Sequence, residues 1–321
     1  MRIAVVALHQ FWATGLTVTL DAFALANSFS SAKMNGSPFF DVSVVGVRKK
    51  VTSGQGVTMS VKPITPQLKP DWVIVPALNT GTPDRLLPAL ERPDVKQVKS
   101  HLLKWHAQSA CIAASCIGTF LLAETGLLDK QEATTTWWLA PLFRQRYPNV
   151  HLDESRMLVV GDRVVTAGAA MGHLDLALWL IRTASPELAS LVSRYLLADI
   201  RSLQAAYIIP NHLAQVDPLM LRFEQWARKN LKKGFSLQSA SKALATSTRT
   251  LQRRCDAVLG KSPLAYFQDL RVEHAQSLLH GNDVDLEKVA AAVGYADGAT
   301  LRTLLREKLG RGVRDLRAEL R

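Results

Sequence analysis

Along the first half of the chain, short apolar runs alternate with stretches whose apolar residues recur every three to four positions. The runs at 2–8, 39–47, 71–76, 109–115, 157–160 and 163–167 predict strands. The stretches at 17–30, 93–107, 117–124, 137–146 and 170–183 predict helices. Strand and helix taking turns implies a parallel sheet with helices on both faces, so a three-layer, flavodoxin-like α/β domain is expected over 1–190. The stretch 201–218, RSLQAAYIIPNHLAQVDP, has two prolines and no sustained period, and a linker is expected over 191–217. From 218 to 321 the pattern is helical: 218–231, 236–245, 247–259, 263–280, 285–293, 298–309 and 313–320 predict an all-α domain.

One unit occurs twice in that helical part. Leu237, Ala240 and Leu244 share a face, Ala245-Thr246-Ser247 makes a tight turn, and a second helix turns Leu251, Cys255 and Val258 inward. Arg249, Gln252 and Arg253 are left together on its outer face. Further on, Leu286, Val289, Ala290 and Val293 point inward, Gly294-Tyr295-Ala296-Asp297 turns, and the next helix buries Leu301, Leu305 and Leu309 while exposing Arg302, Thr303 and Arg306. A solvated helix with a charged face is the plainer reading of either unit alone. Repetition favours a pair of helix-turn-helix units whose outer faces suit the major groove, Arg bonding guanine and Gln bonding adenine. The helix opened by Ser262-Pro263 lies between them and can hold the units apart, and helices about 34 Å apart enter successive grooves.

The 321 residues include 39 Lys and Arg against 27 Asp and Glu, a net charge of +12. Beyond Pro218 there are 19 basic and 11 acidic residues, net +8, leaving +4 for the longer part. Concentration of charge on the helical part favours a polyanion partner there, with a diffuse solvated surface as the alternative; charge alone does not single out DNA, and double-stranded promoter DNA is the partner that the repeated helix-turn-helix pattern adds. No run of roughly 18 apolar residues occurs, so no membrane partner is expected. Met1 to Leu8 reads as a buried first strand and not a signal peptide, so a cytoplasmic protein is expected. Cys111, Cys116 and Cys255 match neither a disulfide framework nor a CxxC metal site, and neither metal nor cofactor is expected.

The segments Ser247 to Arg254, LGKSPLAYFQDLRVEHAQSLL (259–279) and VGYADGATLRTLLREKLG (293–310) closely resemble the AraC/XylS DNA-binding domain, with its two helix-turn-helix units. That resemblance covers about 100 residues. It places Arg249, Gln252 and Arg253 on the first recognition helix and Arg302, Thr303 and Arg306 on the second. Cys255 stands where such domains commonly have Phe, and Val313 where they have Pro; neither is a base-reading position.

In the α/β part, Ala110 to Phe120 (ACIAASCIGTF) runs an apolar strand into Cys116 and at once into a helix, with Gly118 permitting close backbone approach. This is the layout of a nucleophile elbow, although the glycines of G-x-S-x-G are incomplete. A thiol there would face the positive end of the helix, which favours thiolate. The alternative is a small buried residue at a tight junction. Cys111, inside the strand, reads as core. Together with 121–138 and 166–181, the elbow resembles the PfpI-like branch of the class I glutamine amidotransferase-like superfamily. The combination with an AraC-type tail resembles the GlxA family of transcriptional regulators over nearly the whole chain.

In enzymes of that superfamily the elbow cysteine works with a histidine and often an early acid. Here the common ATTHW segment is Ala133-Thr134-Thr135-Thr136-Trp137, and Gly15 stands near the first helix where an acid is expected. Loss of the base costs a cysteine hydrolase orders of magnitude in rate, so no catalytic residue is assigned. The resemblance implies a sensor pocket at the carboxyl ends of the strands, for a small amine- or amino-acid-like effector. Cys116, Ile117, Asn79, Thr136, Trp137, Trp138, His9 and His173 are its candidate residues: one of the two tryptophans, not both, through cation–π attraction with the other packing its helix, and the two histidines with a structural or ligand-orienting role as the preferred alternative to direct contact. Asp175 is expected to cap or pair internally. A homodimer and contact with RNA polymerase complete the expected partners. The competing reading is a cysteine-dependent amidase, peptidase or glyoxalase-like enzyme carried on a DNA-targeting tail.

Overall fold

The computed structural model describes residues 1–30, 38–198, 201, 203–204, 207–214, 217–279, 284–310 and 312–318, which fall into two units. The first comprises Met1–Leu139 and Tyr147–Gln204, the second Ala140–Arg146 and Ala205–Arg321.

The strands are β1 (Arg2–Val6), β2 (Asp41–Gly46), β3 (Lys50–Thr52), β4 (Thr58–Ser60), β5 (Lys62–Pro63), β6 (Trp72–Val75), β7 (Cys111–Ser115), β8 (Glu132–Ala133), β9 (His151–Leu152), β10 (Leu158–Val160) and β11 (Val164–Ala167). Seven of them form one sheet in the order β10-β11-β7-β6-β1-β2-β5. All its pairings are parallel except β10 with β11, so the sheet is the mostly parallel one that the alternation of strand and helix implies. The turn joining those two strands is far too short for a crossover, so only a hairpin is open to it.

The helices of this unit are α1 (Ala13–Ser30), α2 (Pro83–Leu90), α3 (Pro93–Ala107), α4 (Gly118–Ala123), α6 (Gly172–Ala184) and α7 (Pro186–Tyr195); α5 (Ala140–Arg146) groups with the second unit. Ile3, Val5 and Ala7 join Ile74, Ala113 and Val165 beneath Leu16 and Phe23 of α1 and Leu176 and Leu180 of α6. Ala4 and Val6 are buried as well, on the opposite face, as strict alternation along a doubly covered strand requires. There α3 packs with α2, α4 and β7.

The second unit continues with α8 (Pro210–Ala214), α9 (Pro218–Asn230), a 3₁₀ turn at Leu231–Lys233, α10 (Leu237–Ala243), α11 (Thr248–Leu259), α12 (Pro263–Leu279), α13 (Leu286–Val293), α14 (Gly298–Leu309) and α15 (Val313–Ala318). The expected ends at 280 and at 319–320 lie outside the described residues. α5 packs on α11 within this unit. Phe223, Trp226, Phe235, Tyr266 and Phe267 form an aromatic cluster with α9 and α12 at its centre. Leu279, Val289, Val293, Leu301, Leu305 and Leu316 form a separate apolar core under α13 and α14.

The expected linker over 191–217 needs correction. α7 extends to Tyr195, and α8 lies within the second unit. Between them, Arg201 pairs with the buried Asp175 at 2.6 Å, the internal partner expected for that acid, and Gln204 is fully buried in the first unit. Among the described residues, no helix is long and apolar enough to cross a membrane.

Candidate functional site

β1, β6, β7 and β11 are neighbours in the sheet, and the segments leaving their carboxyl ends carry His9, Ala77 to Asn79, Cys116 and His173. The strand order reverses between β1 and β6, and α/β sheets bind ligands in the crevice at such a switch point. Backbone bonds lace these segments together. The Asn79 amide donates to the Gln10 carbonyl at 2.7 Å, the Trp12 amide to Ala77 at 2.8 Å, and the Cys116 amide to Ala167 at 2.8 Å.

The elbow forms as the local pattern predicts. Cys116 has φ of 55°, a left-handed conformation rarely taken by residues with a side chain, and α4 starts two residues later. Gly118 lies so close to the Val75 carbonyl that no side chain fits there. The Thr135 hydroxyl donates to the Cys116 carbonyl at 2.8 Å and holds the strained residue in place.

The thiol itself departs from expectation. Cys116 is 2% exposed, and burial pushes its pKa up to about 12, against the lowering effects of the Ile117 amide and the Thr136 hydroxyl. The positive end of a short helix does not outweigh the cost of a thiolate out of water, so the sulfur is protonated at neutral pH. The Thr136 hydroxyl faces that sulfur from a fully buried position and has no nitrogen or oxygen partner among the described residues. The hydroxyls of Ser115 and Thr119, on either side of the elbow, are likewise buried without a partner. Cys111 is half-buried at the start of β7, not core as expected.

His173 is buried and bonded within the fold. Its Nε2 accepts the Ala77 amide at 3.0 Å and its Nδ1 donates to the Ala170 carbonyl at 2.6 Å, which spends both ring nitrogens. Burial lowers its pKa to about 4, against the raising effect of the Ala170 bond, and the ring is neutral. The imidazole packs over Gly15 and fills the space that the missing acid would have needed.

His9 is half-buried, and its Nδ1 accepts the Thr52 amide at 3.4 Å. Arg92 donates from Nη2 to the His9 carbonyl at 2.7 Å, from Nε and the same Nη2 to Asp94, and from Nη1 to the Gln10 side chain, which fixes this loop to α3. Asn79 is half-buried with its amide group against Gly54, beside the β3–β4 hairpin. Trp137 and Trp138 are half-buried, with ring centroids 5.6 Å apart and planes at 84°, and so form an aromatic corner. The structure therefore brings Cys116 and Thr136 into contact and ties His9 to Asn79 through the intervening backbone. Neither His9 nor His173 is hydrogen-bonded to Cys116.

Gln204 escaped the sequence reading. Its Nε2 donates to the Thr135 carbonyl at 2.9 Å, the Thr134 hydroxyl at 3.1 Å and the Arg156 carbonyl at 3.1 Å. The Thr134 amide in turn donates to the Thr166 hydroxyl at 2.8 Å. The segment that carries Thr136 is thus pinned from two sides. Bare Gly168 makes room for the Gln204 side chain, the one sequence feature that points to it.

In the second unit, Ser247 caps α11 by accepting the Thr250 amide at 3.0 Å, and Asp297 caps α14 by accepting the Thr300 amide at 2.7 Å. Gly260 and Gly310 close the two helices in the left-handed conformation. Leu251, Cys255 and Leu259 stand at the same distances from their cap as Leu301, Leu305 and Leu309, and all six are buried. Arg249, Gln252, Arg253, Arg302, Thr303 and Arg306 are all exposed. Gln252 and Arg253 correspond by position to Arg302 and Thr303, whereas Arg249 and Arg306 have no basic counterpart on the other helix.

Residues 240–319 match the family described as "Helix-turn-helix domain". The chain is 28% identical over 213 residues to HTH-type transcriptional regulator ArgR of Pseudomonas aeruginosa, an alignment covering 65% of this chain and 64% of that one. It is 24% identical over 191 residues to HTH-type transcriptional regulator GlxA of Rhizobium meliloti, covering 57% of each. The chain thus spans less than two thirds of the length of these relatives. Among solved structures, an AraC family transcriptional regulator from Pseudomonas putida superposes with a TM-score of 0.51 at 19% identity over 61% of this chain and 98% of that one. A ThiJ/PfpI family protein from Pseudomonas syringae superposes with a TM-score of 0.52 at 17% identity, over 76% and 90%. The chain is thus similar over part of its length to HTH-type transcriptional regulators, its residues 240–319 match a helix-turn-helix family, and it shares its fold with the AraC family regulator and the ThiJ/PfpI family protein.

Proposed function

We propose that this chain is a ligand-responsive, sequence-specific DNA-binding regulator of transcription. The observation that carries the reading is the duplicated recognition helix, each copy capped alike and presenting Arg, Gln or Thr from an exposed face over a buried apolar one. Such faces read base edges, while the net +8 of this part supplies the sequence-independent attraction to phosphate. Four reading helices in a homodimer would discriminate better than two.

The effector site we propose lies at the carboxyl ends of β1, β6 and β7, with Cys116, Ile117, Thr136, Asn79, His9 and the Trp137–Trp138 corner as contacts. A small ammonium-bearing molecule suits two perpendicular indole faces. His173 serves that site by holding the Ala77 amide. Thr136 to Leu139 lead directly along the chain into α5, which groups with the DNA-reading unit and packs on α11 there, and this segment is the coupling route we propose. The coupling is reciprocal: effector alters DNA affinity only as far as DNA alters effector affinity.

The enzyme reading rests on the strained elbow at Cys116. It lacks a base, since Thr136 stands at the expected histidine position and His173 is spent on backbone groups. Thermal-shift measurements with tetramethylammonium, choline and free amino acids, with and without promoter DNA, test the proposal. Stabilisation that differs between DNA-bound and free protein, without turnover, is the expected result. Hydrolysis lost in Cys116→Ser would favour the enzyme.

A further inference from the structure

Arg271, near the middle of α12, is 9% exposed and belongs to neither recognition helix. Its Nε and Nη2 donate to the Leu231 carbonyl at 3.1 and 2.7 Å. Leu231 starts the 3₁₀ turn between α9 and α10, on the side of the first helix-turn-helix. The same guanidinium lies 4.7 Å from the ring centroid of Tyr295, in the turn between α13 and α14, and 5.0 Å from that of Phe267. One planar cation therefore spends its hydrogen bonds beside the first helix-turn-helix and its face on the turn of the second, both within the helical unit.

Gly294 completes the arrangement. It has φ of +84°, and a side chain there would collide with both the Leu231 carbonyl and the Arg271 guanidinium. α13 packs directly on the 231–233 turn, so this is where the two helix-turn-helix units meet. α12 also reaches α14 through the ion pair of Asp269 with Lys308 at 3.0 Å, a partly exposed contact between flexible side chains. A buried hydrogen-bonded cation fixes their angle as well, because guanidinium geometry is planar and directional.

We infer that Arg271, seated between Leu231 and Tyr295, is a positioning residue that sets the spacing and phase at which the two recognition helices meet DNA. It touches no base. Its role is to make the protein prefer one separation between two half-sites. The inference rests on the DNA-reading function proposed above.

The test uses the full chain and a randomised duplex library. Wild type is expected to enrich a site with two half-sites at one spacing, and to lose affinity when about 5 bp, half a helical turn, are inserted between them. Arg271→Leu is expected to bind the enriched site about tenfold or more weakly, to keep its affinity for a duplex carrying one half-site, and to tolerate the insertion. Tyr295→Leu, which keeps the Leu231 bonds, should show the same loss of phasing to a smaller degree, while Arg271→Lys restores part of it. Circular dichroism identifies a variant that fails to fold, and Tyr295→Leu then carries the test. Variants with the wild-type spacing profile, or folded variants that lose half-site and full-site binding equally, would overturn the inference while leaving DNA reading intact. A wild-type protein that enriches no sequence would instead overturn DNA reading, and with it any spacing for Arg271 to set.

Discussion

A Cβ built on Gly15 would fall 2.6 Å from Nε2 of His173, so the imidazole occupies the volume that a side chain at position 15 would need. The two residues are coupled by packing, and Gly15→Ala forces the ring off its bond to the Ala77 amide. The expected cost is about 1–3 kcal/mol of stability, the usual range for overpacking. In a His173→Ala background the same substitution should cost much less, because the obstacle is gone. Chemical denaturation of the four proteins in a double-mutant cycle measures this, and additive effects would show that the ring yields freely.

Stability should also depend on pH through His173. Burial lowers its folded pKa from 6.5 to about 4, so the folded state prefers the neutral ring. As pH falls below 6.5 the unfolded chain binds a proton that the folded chain does not take up until about pH 4. The neutral ring's contribution is therefore complete above 6.5 and declines from there to about 4, by up to about 3 kcal/mol. In His173→Asn that part of the acid dependence should be missing. Urea midpoints measured from pH 7.5 to 4 decide the matter, and an unchanged slope in the variant would assign the titration elsewhere.

Cys116 should behave as an inert thiol. With its pKa pushed up to about 12 and its side chain sealed, it presents almost no thiolate at pH 8. Iodoacetamide followed by peptide mass analysis should label the half-buried Cys111 first and Cys116 only on unfolding. Prompt labelling of Cys116 in the native protein would show an open, activated elbow.

The degree to which these features could be read in advance varied with their range along the chain. α9 to α14 were legible to within a residue or two because Ser247, Asp297, Gly260, Gly294 and Gly310 punctuate them with local chemistry. α2 was hidden by Pro88, which ordinarily argues against a helix interior, and β8 and β9 are too short to show any period. The elbow was legible in backbone but not in charge state, because burial of the thiol depends on Thr136 and on the packing of distant segments. Gln204 lies 70 residues from Thr134 in sequence, and nothing local in a polar stretch marks its amide as an internal fastener. Whether His173 meets a ligand or holds the fold is open in the sequence for the same reason: which atoms its nitrogens meet is decided by Ala77, 96 residues away.

Arg253 and Arg254 are adjacent on α11 and both exposed, yet they should respond oppositely to replacement. Arg254 pairs with Asp217 at 2.6 Å, and Asp217 also caps α9 by accepting the Leu219 and Met220 amides at 2.9 and 3.0 Å. Arg254→Ala should therefore lower thermal stability by up to about 1 kcal/mol, since a half-exposed pair contributes modestly, and leave base preference unchanged. Arg253 corresponds by position to Thr303 on α14 and lies on the face proposed above to read bases. Arg253→Ala should cost about 1–3 kcal/mol on the enriched site and broaden the preference at one base pair, with stability unaffected. Titrations of both variants against enriched and scrambled duplexes at one salt concentration separate the roles. Equal losses on the two duplexes for Arg253→Ala would make it a phosphate contact and move the reading face around the helix.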